Sequence, residues 1–339
     1  MVPLSLQLLR QAVDPRIDGF EHSLIKTSAS PSTVHRVVLT YPQDHPGVRS
    51  VILKLVAAVW PNDSGGSCRE VRFYNQVLPC LDLEHPKVYY AGLDPDSDFR
   101  LILMEDVAAS HHFPPPAHRW TPDEAEYTVQ AYAQLHVQGQ RCLPPEAERS
   151  WLWRMALHEQ DWEPGVLASM VHDLVAKKIW ARVSRIDRLI EHTLADLGHF
   201  THYPVTLLHN DVYPPNVALP IDPQGKAILF DWEMAGWGLA ELDLAFMFLQ
   251  PFRSAQYLER SRVLASYWAQ RQALEGEQPP FWERQAIQNH ADALWALSLI
   301  PVAHRVAAKP YPARSAPQIY WESMFGVLHD RLVDLCEKL

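Results

Sequence analysis

Two short apolar runs, Val205–Leu208 and Ala227–Phe230, lie inside a stretch that otherwise reads as helix, and they bracket a polar, proline-bearing segment. Apolar runs this short, bounded by turn residues, form strands rather than helices. A helical region must therefore hold one small β-ribbon with polar side chains at its strand ends. Upstream the pattern differs. Thr33–Tyr41 (TVHRVVLTY), Ser50–Val59 (SVILKLVAAV), Val88–Leu93 and Phe99–Met104 are apolar or β-branched runs of strand length. Tyr41–Arg49, with Pro42, Pro46 and Gly47, reads as a hairpin loop between the first two of these. Cys68–Leu78 places Val71, Tyr74 and Leu78 on one helical face. Residues 1–106 are thus expected to form a small lobe of about five strands and one helix.

Residues 107–120 read as a connector, with Pro114–Pro116 and little periodicity. Thr121-Pro122-Asp123-Glu124 is a helix start: Thr as cap, Pro at the first helical position, acids in the first turn. That helix runs through Tyr132, Leu135 and His136, the last read as a packed core histidine. Trp151–His158, Val166–Leu197, Ala255–Arg271 and Phe281–Val302 read as further helices of a lobe spanning 121–339. His111 and His112 are expected on a solvated connector.

Charge narrows the partners. With 30 Lys+Arg against 40 Asp+Glu, the net charge is −10, which disfavours nucleic acid and anionic membranes. Residues 1–106 hold 10 basic and 13 acidic residues, which leaves 20 and 27, a net −7, for the remainder. The more acidic lobe favours an amine-bearing, cationic ligand. The 4 cysteines show no C-x-x-C spacing, which points to a reducing compartment without a disulfide framework. Met1–Phe20 lacks the layout of a secretory signal, and Leu242–Phe252 and Ala293–Val302 are too short to span a bilayer. A soluble cytoplasmic chain is expected.

The polar segment carries the chemistry. LLHNDVYPPNVAL followed by AILFDWEMAGW sets His209, Asp211, Asn216 and Asp231 on neighbouring strand ends. Phosphoryl transfer needs such a set: one carboxylate to orient a hydroxyl and accept its proton, and a carboxamide and second carboxylate to hold a cation against phosphates. The spacing His-x-Asp-x4-Asn matches the catalytic loop of protein kinases. A lysine inside an apolar strand, a glutamate on the following helix and a strand reading LILMEDV all occur upstream in the same order.

On these residues the chain resembles the aminoglycoside phosphotransferase and choline kinase family, from about Phe20 to Asp243. The resemblance implies an α+β, protein-kinase-like fold of two lobes, with an antiparallel sheet in the small lobe and a mostly helical large lobe. It implies ATP and Mg2+ as cofactors and a small-molecule hydroxyl acceptor. Lys54 would contact the α- and β-phosphates, and Glu70 would pair with it, Glu84 being the competing acid. Leu103, Met104, Glu105, Asp106 and Val107 would form the hinge against adenine. Asp211 would be the catalytic base, Asn216 and Asp231 the metal ligands. His209 would brace the loop and Asp243 would support its backbone. The phosphate loop would lie near Thr27–Thr33, where Ser28 and Ser30 take the place of the glycines of protein kinases.

The chain departs from protein kinases elsewhere too. Asn210 stands where many relatives have Gly, and Trp232–Glu233 replaces Phe-Gly. Only about a dozen residues separate Asp231 from Asp243, with no Ala-Pro-Glu, so a long activation loop and a protein substrate are disfavoured. His290, Asp292 and Trp295 share one helix where such relatives often build the acceptor pocket, but a plain surface-and-core helix is the favoured reading. Two rival readings follow from the same residues: a non-catalytic nucleotide-binding pseudokinase module, and a metal-dependent hydrolase using His209, Asp211 and Asp231.

Overall fold

The computed structural model describes residues 3–27, 32–42, 46–57, 66–93, 99–115, 118–153, 163–196, 203–249, 258–276, 279–308 and 316–337. The small lobe comprises α1 (Leu6–Ala12), β1 (Gly19–Thr27), β2 (Ser32–Thr40), β3 (Ser50–Ala57), α2 (Gly66–Arg72), β4 (Val88–Leu93) and β5 (Phe99–Glu105). Its antiparallel sheet has the order β1-β2-β3-β5-β4, with Lys54 at the centre, opposite Val34 on one side and Ile102 on the other. α2 runs into a wide helical turn over Phe73–Val77 and a tight one over Leu78–Cys80.

The chain then crosses through Glu105–Ala109. Asp106 caps the short turn Val107–Ala109 and accepts from Arg36 Nε at 2.8 Å and Ser50 Oγ at 2.8 Å. Burial alone would raise its pKa, but the bonds from Ser50, Arg36 and the Ala108 N–H hold it below the ordinary value. The connector is more ordered than its composition implies. β6 (His111–His112) pairs with the later ribbon, and His111 is buried with Nε2 3.0 Å from the Lys226 carbonyl. Only His112 fits a solvated connector.

The large lobe opens with α3 (Pro122–Cys142), whose capping box is formed by Thr121 and Glu124. It continues through α4 (Pro164–Ala176), α5 (Ile186–Asp196), β7 (Thr206–Leu208), β8 (Val217–Pro220), β9 (Ile228–Leu229), β10 (Gly236–Gly238), α6 (Glu241–Leu249), α7 (Arg260–Glu275), α8 (Phe281–Ala307) and α9 (Ala316–Glu337). β7 pairs with β10, and β8 with β6 and β9. The expected continuous helix over Val166–Leu197 is broken. Lys178 and Arg185 adopt φ of 58° and 61°, and between them Trp180 turns into the core and donates its indole N–H to the Phe325 carbonyl. Trp151–Trp153 is not helical, since Trp153 bridges to Gly236; the rest of that expected helix lies outside the described residues. The cysteine reading also needs correction. Cys80 and Cys142 form a disulfide with Cα atoms 5.8 Å apart, while Cys336 is a buried free thiol.

Candidate active site

Strand alternation decides where Lys54 points. Val51, Leu53 and Leu55 on β3 enter the core beneath α1 with Leu9, Ile17 and Leu103. Ile52 packs on the opposite face, against the core shared with Phe73, Met104 and Trp232. The two-residue period puts Lys54 on that second face, toward α2. There its ammonium donates to Glu70 Oε2 at 2.7 Å and to Asp231 Oδ1 at 2.6 Å. Glu84 makes no such contact; it lines a small cavity beside Leu78 and His85.

The cluster is buried and charged. Burial disfavours the Lys54 ammonium, but Glu70, Asp231 and Glu233 outweigh it and hold its pKa well above the ordinary value. Glu70 lies within the same cluster, and burial pushes its carboxyl up to about 7 against the pull of Lys54. Its Oε1 is buried with no hydrogen-bond partner. The neighbouring Arg69 donates Nε to the Trp151 carbonyl at 3.0 Å and Nη1 to the Glu233 carbonyl, so α2 is docked on the large lobe.

A second cluster shapes the loop after β7. Asp243, fully buried at the start of α6, accepts from the His209 N–H at 2.8 Å and the Asn210 N–H at 2.7 Å. His136 Nε2 lies 3.1 Å from the same carboxylate, and its Nδ1 lies 2.8 Å from the Tyr267 hydroxyl. The bond to Asp243 assigns the His136 proton to Nε2, leaving Nδ1 to accept from Tyr267. His209 Nε2 sits 2.7 Å from the Phe230 carbonyl, an acceptor only, so the proton is there. Burial pulls the His209 pKa down, which keeps the ring neutral. Asn210 adopts φ 60°, and its Nδ2 donates to the Met234 carbonyl at 3.1 Å. The strand crossing here requires glycine: a Cβ at Gly236 would fall 2.2 Å from the Trp153 carbonyl oxygen and 2.4 Å from Asn210 Nδ2.

Held by this scaffold, Asp211 and Asn216 meet. Asn216 Nδ2 donates to the Asp211 carboxylate at 2.6 Å and to its carbonyl at 3.1 Å, so the amide oxygen is directed away from Asp211. Asp231, at φ 67°, turns its carboxylate toward Lys54, with a quarter of the side chain exposed. A left-handed non-glycine residue is strained, and such strain is typical of functional positions. Trp232 follows, buried, stacked on Phe73 at 3.9 Å between centroids and tilted against His209 at 4.6 Å. One aromatic ring thus touches both lobes.

Leu103 and Met104 are buried strand residues of β5, and Glu105, Asp106 and Val107 make the crossover. Ser28 and Ser30 lie outside the described residues. His136 is in the core as expected and also reaches Asp243, a link whose sequence signal is its place one turn after Tyr132 on the apolar face of α3. The helix with His290, Asp292 and Trp295 is core: Asp292 is fully buried between Arg260 and Arg331, and Trp295 stacks on Phe246.

The donor chemistry fits a hard cation. Asp231 and the Asn216 amide oxygen are oxygen ligands, and Mg2+ at phosphates needs only one or two from protein. Among the described residues no group of three or more His, Cys, Asp or Glu is placed to hold a metal by itself. The hydrolase reading needs His209 as a ligand, and the Nε2 of that ring is engaged with the Phe230 carbonyl.

Two lobes joined by a short crossover, with one buried lysine paired to carboxylates between them, define the protein-kinase-like class. The profile of the phosphotransferase enzyme family matches residues 29–276, and the chain belongs to that family. Similar solved structures share the fold at low identity. A putative aminoglycoside phosphotransferase from Ralstonia eutropha JMP134 is 13% identical, with a TM-score of 0.62 over 98% of this chain and 97% of that one. Amicoumacin kinase hAmiN, solved with AMP-PNP, Ca2+ and Ami, is 12% identical, TM-score 0.54, covering 98% and 94%. Choline kinase LicA from Streptococcus pneumoniae is 13% identical, TM-score 0.50, covering 98% and 99%. No curated protein matches the chain in sequence. Among the described residues no helix is long and apolar enough to cross a membrane.

Proposed function

We propose that the chain is an ATP- and Mg2+-dependent kinase that moves the γ-phosphate to a hydroxyl of a small molecule, of aminoglycoside, choline or amino-sugar type. The observation that carries this is the meeting of Lys54 with Asp231, 177 positions apart, at 2.6 Å across the cleft. A buried cation with two carboxylates is costly unless a ligand uses it, and a polyphosphate is the ligand it suits. Residues 1–106 would be the nucleotide lobe, 107–120 the connector and 121–339 the lobe of the acceptor.

Lys54 aligns the α- and β-phosphates, and Glu70 fixes its position. The backbone of Glu105–Val107 faces adenine, with Leu103 and Met104 bracing it. Asn216 and Asp231 would hold Mg2+, which when bound neutralises the phosphate charge. Asp211 orients the acceptor hydroxyl and takes its proton as the oxygen bonds to the γ-phosphorus and the bond to the ADP oxygen breaks. The bond from Asn216 fixes the carboxylate for this step. His209 and Asp243 hold the loop and touch no substrate. Most of the rate comes from positioning and charge. The amine preference rests on the acidic large lobe. A cytoplasmic location, where ATP is supplied, goes with this reading.

The test is ADP release against a panel of hydroxylated amines, amino sugars and antibiotics, with Mg2+ and with EDTA. Turnover with an amine-bearing alcohol, lost in EDTA, is expected. Asp211→Ala should lower kcat about 10²–10⁴-fold while leaving nucleotide affinity nearly intact. Unchanged kcat removes Asp211 from the role. Nucleotide binding without transfer to any compound favours the pseudokinase reading.

A further inference from the structure

The disulfide joins the two lobes. Cys80 ends the turn that continues from α2, the helix of Glu70, and Cys142 is the last residue of α3. The bridge spans a sequence separation of 62, and among the described residues the only other covalent route between the lobes is the crossover after β5. A single tether leaves rotation free in all directions, whereas two separated tethers restrict it to one axis. A polar clasp sits beside the bridge: the Asp82 N–H donates to Gln138 Oε1 at 2.6 Å, and Gln138 Nε2 donates to the Asp82 carbonyl at 3.0 Å. Leu78 and Leu81 complete the contact in the core shared with α3.

We infer that Cys80–Cys142 is a redox-controlled clamp that sets how firmly α2, and with it Glu70, is seated on the large lobe. The inference rests on the nucleotide reading of the cleft. Cys80 is exposed and Cys142 half-buried, so a dithiol reaches the bond. Reduction is two-electron exchange: a dithiol donor of the thioredoxin class becomes a disulfide and delivers two electrons and two protons, leaving two cysteine thiols. Cys336 is no competitor, since it is buried and burial pushes its thiol up to about 11. Disulfides in cytoplasmic proteins are mostly transient and redox-sensing rather than structural, which fits a bond placed between the two lobes.

With the bond closed, the Lys54–Glu70–Asp231 arrangement is preorganised and nucleotide binding pays less ordering entropy. With it open, α2 and the turn Phe73–Cys80 are held to the large lobe by the two Arg69 bonds, the clasp and the apolar contacts, with no covalent link. The experiment uses the full chain, air-oxidised or treated with dithiothreitol, and fluorescent N-methylanthraniloyl-ATP with Mg2+. Non-reducing peptide mapping should show the Cys80–Cys142 link. Reduction should raise the nucleotide dissociation constant about three- to tenfold and speed hydrogen exchange across Phe73–Leu81. Cys80→Ser should reproduce the reduced state and be insensitive to dithiothreitol; Cys142→Ser serves if that variant folds poorly.

If the bond is purely structural, reduction lowers the melting temperature and leaves the dissociation constant unchanged, and that result overturns the clamp. So does finding both thiols free after oxidation, or exchange that ignores reduction. Absence of nucleotide binding in both redox states would instead sink the kinase reading, while the exchange data still decide whether the bond controls α2.

Discussion

Each lobe contributes a buried charge with several partners, and the two are built differently. Lys54 is a cation between carboxylates from α2 and the ribbon, and Asp231 leaves a quarter of its side chain open to the cleft. Asp243 is an anion with no exposure, and its partners are backbone N–H groups and a histidine in the interior. The first cluster has an unpartnered carboxylate oxygen and a carboxyl titrating at about 7. The second has its charge met by fixed donors. A network left partly unsatisfied and open on one side is suited to exchange partners with a ligand; a closed, satisfied one is suited to hold a shape.

The largest effect that tests this contrast is on folding. Asp243→Ala strands the His209 and Asn210 N–H groups and the His136 Nε2–H in the interior. Removing one partner of a buried charged network costs about 3–5 kcal/mol. Denaturant unfolding should show that loss, with the loop disordered and turnover gone together. An Asp243→Ala variant of near wild-type stability would mean that the second cluster is not the scaffold.

Lys54→Met should act the other way. The apolar replacement has similar length, and Glu70 can protonate once its cation is gone, so the fold loses less than in Asp243→Ala. Nucleotide KM should rise and kcat fall, with kcat/KM down about 10²-fold or more. Stability and activity thus separate at Lys54 and fall together at Asp243. Equal stability losses at both positions would erase the distinction.

Much of this was legible in the sequence because it rests on local rules. The period of β3 puts Lys54 opposite Leu53 and Leu55, and the Thr121–Glu124 box starts α3 where its residues require. The spacing of His209, Asp211 and Asn216 is a loop property, and loops of that length close on themselves. What failed depends on distant partners. His111 is buried because its ring meets the Lys226 carbonyl, 115 positions on. The Cys80–Cys142 bond joins elements whose proximity only the packed lobes create. Lys178 gives no sign of a left-handed φ; Trp180 seeking the core and the Phe325 carbonyl imposes the break.

The smallest effect is on pH, and it runs in opposite directions for activity and stability. The Glu70 carboxyl is raised by burial to about 7 from an ordinary value of 4.5. In the free enzyme the native state therefore holds more protons than the unfolded chain between these values, so stability falls as pH rises through the window. The contribution is present in full below the unfolded pKa and lost above about 7, worth about 1–3 kcal/mol. Activity should do the reverse, because Lys54 is positioned by an ionised Glu70. On this reading kcat/KM rises about tenfold between mildly acidic and neutral pH, while the denaturation midpoint declines. Glu70→Gln should flatten both curves. A variant that flattens neither would assign the acid limb to a group other than Glu70.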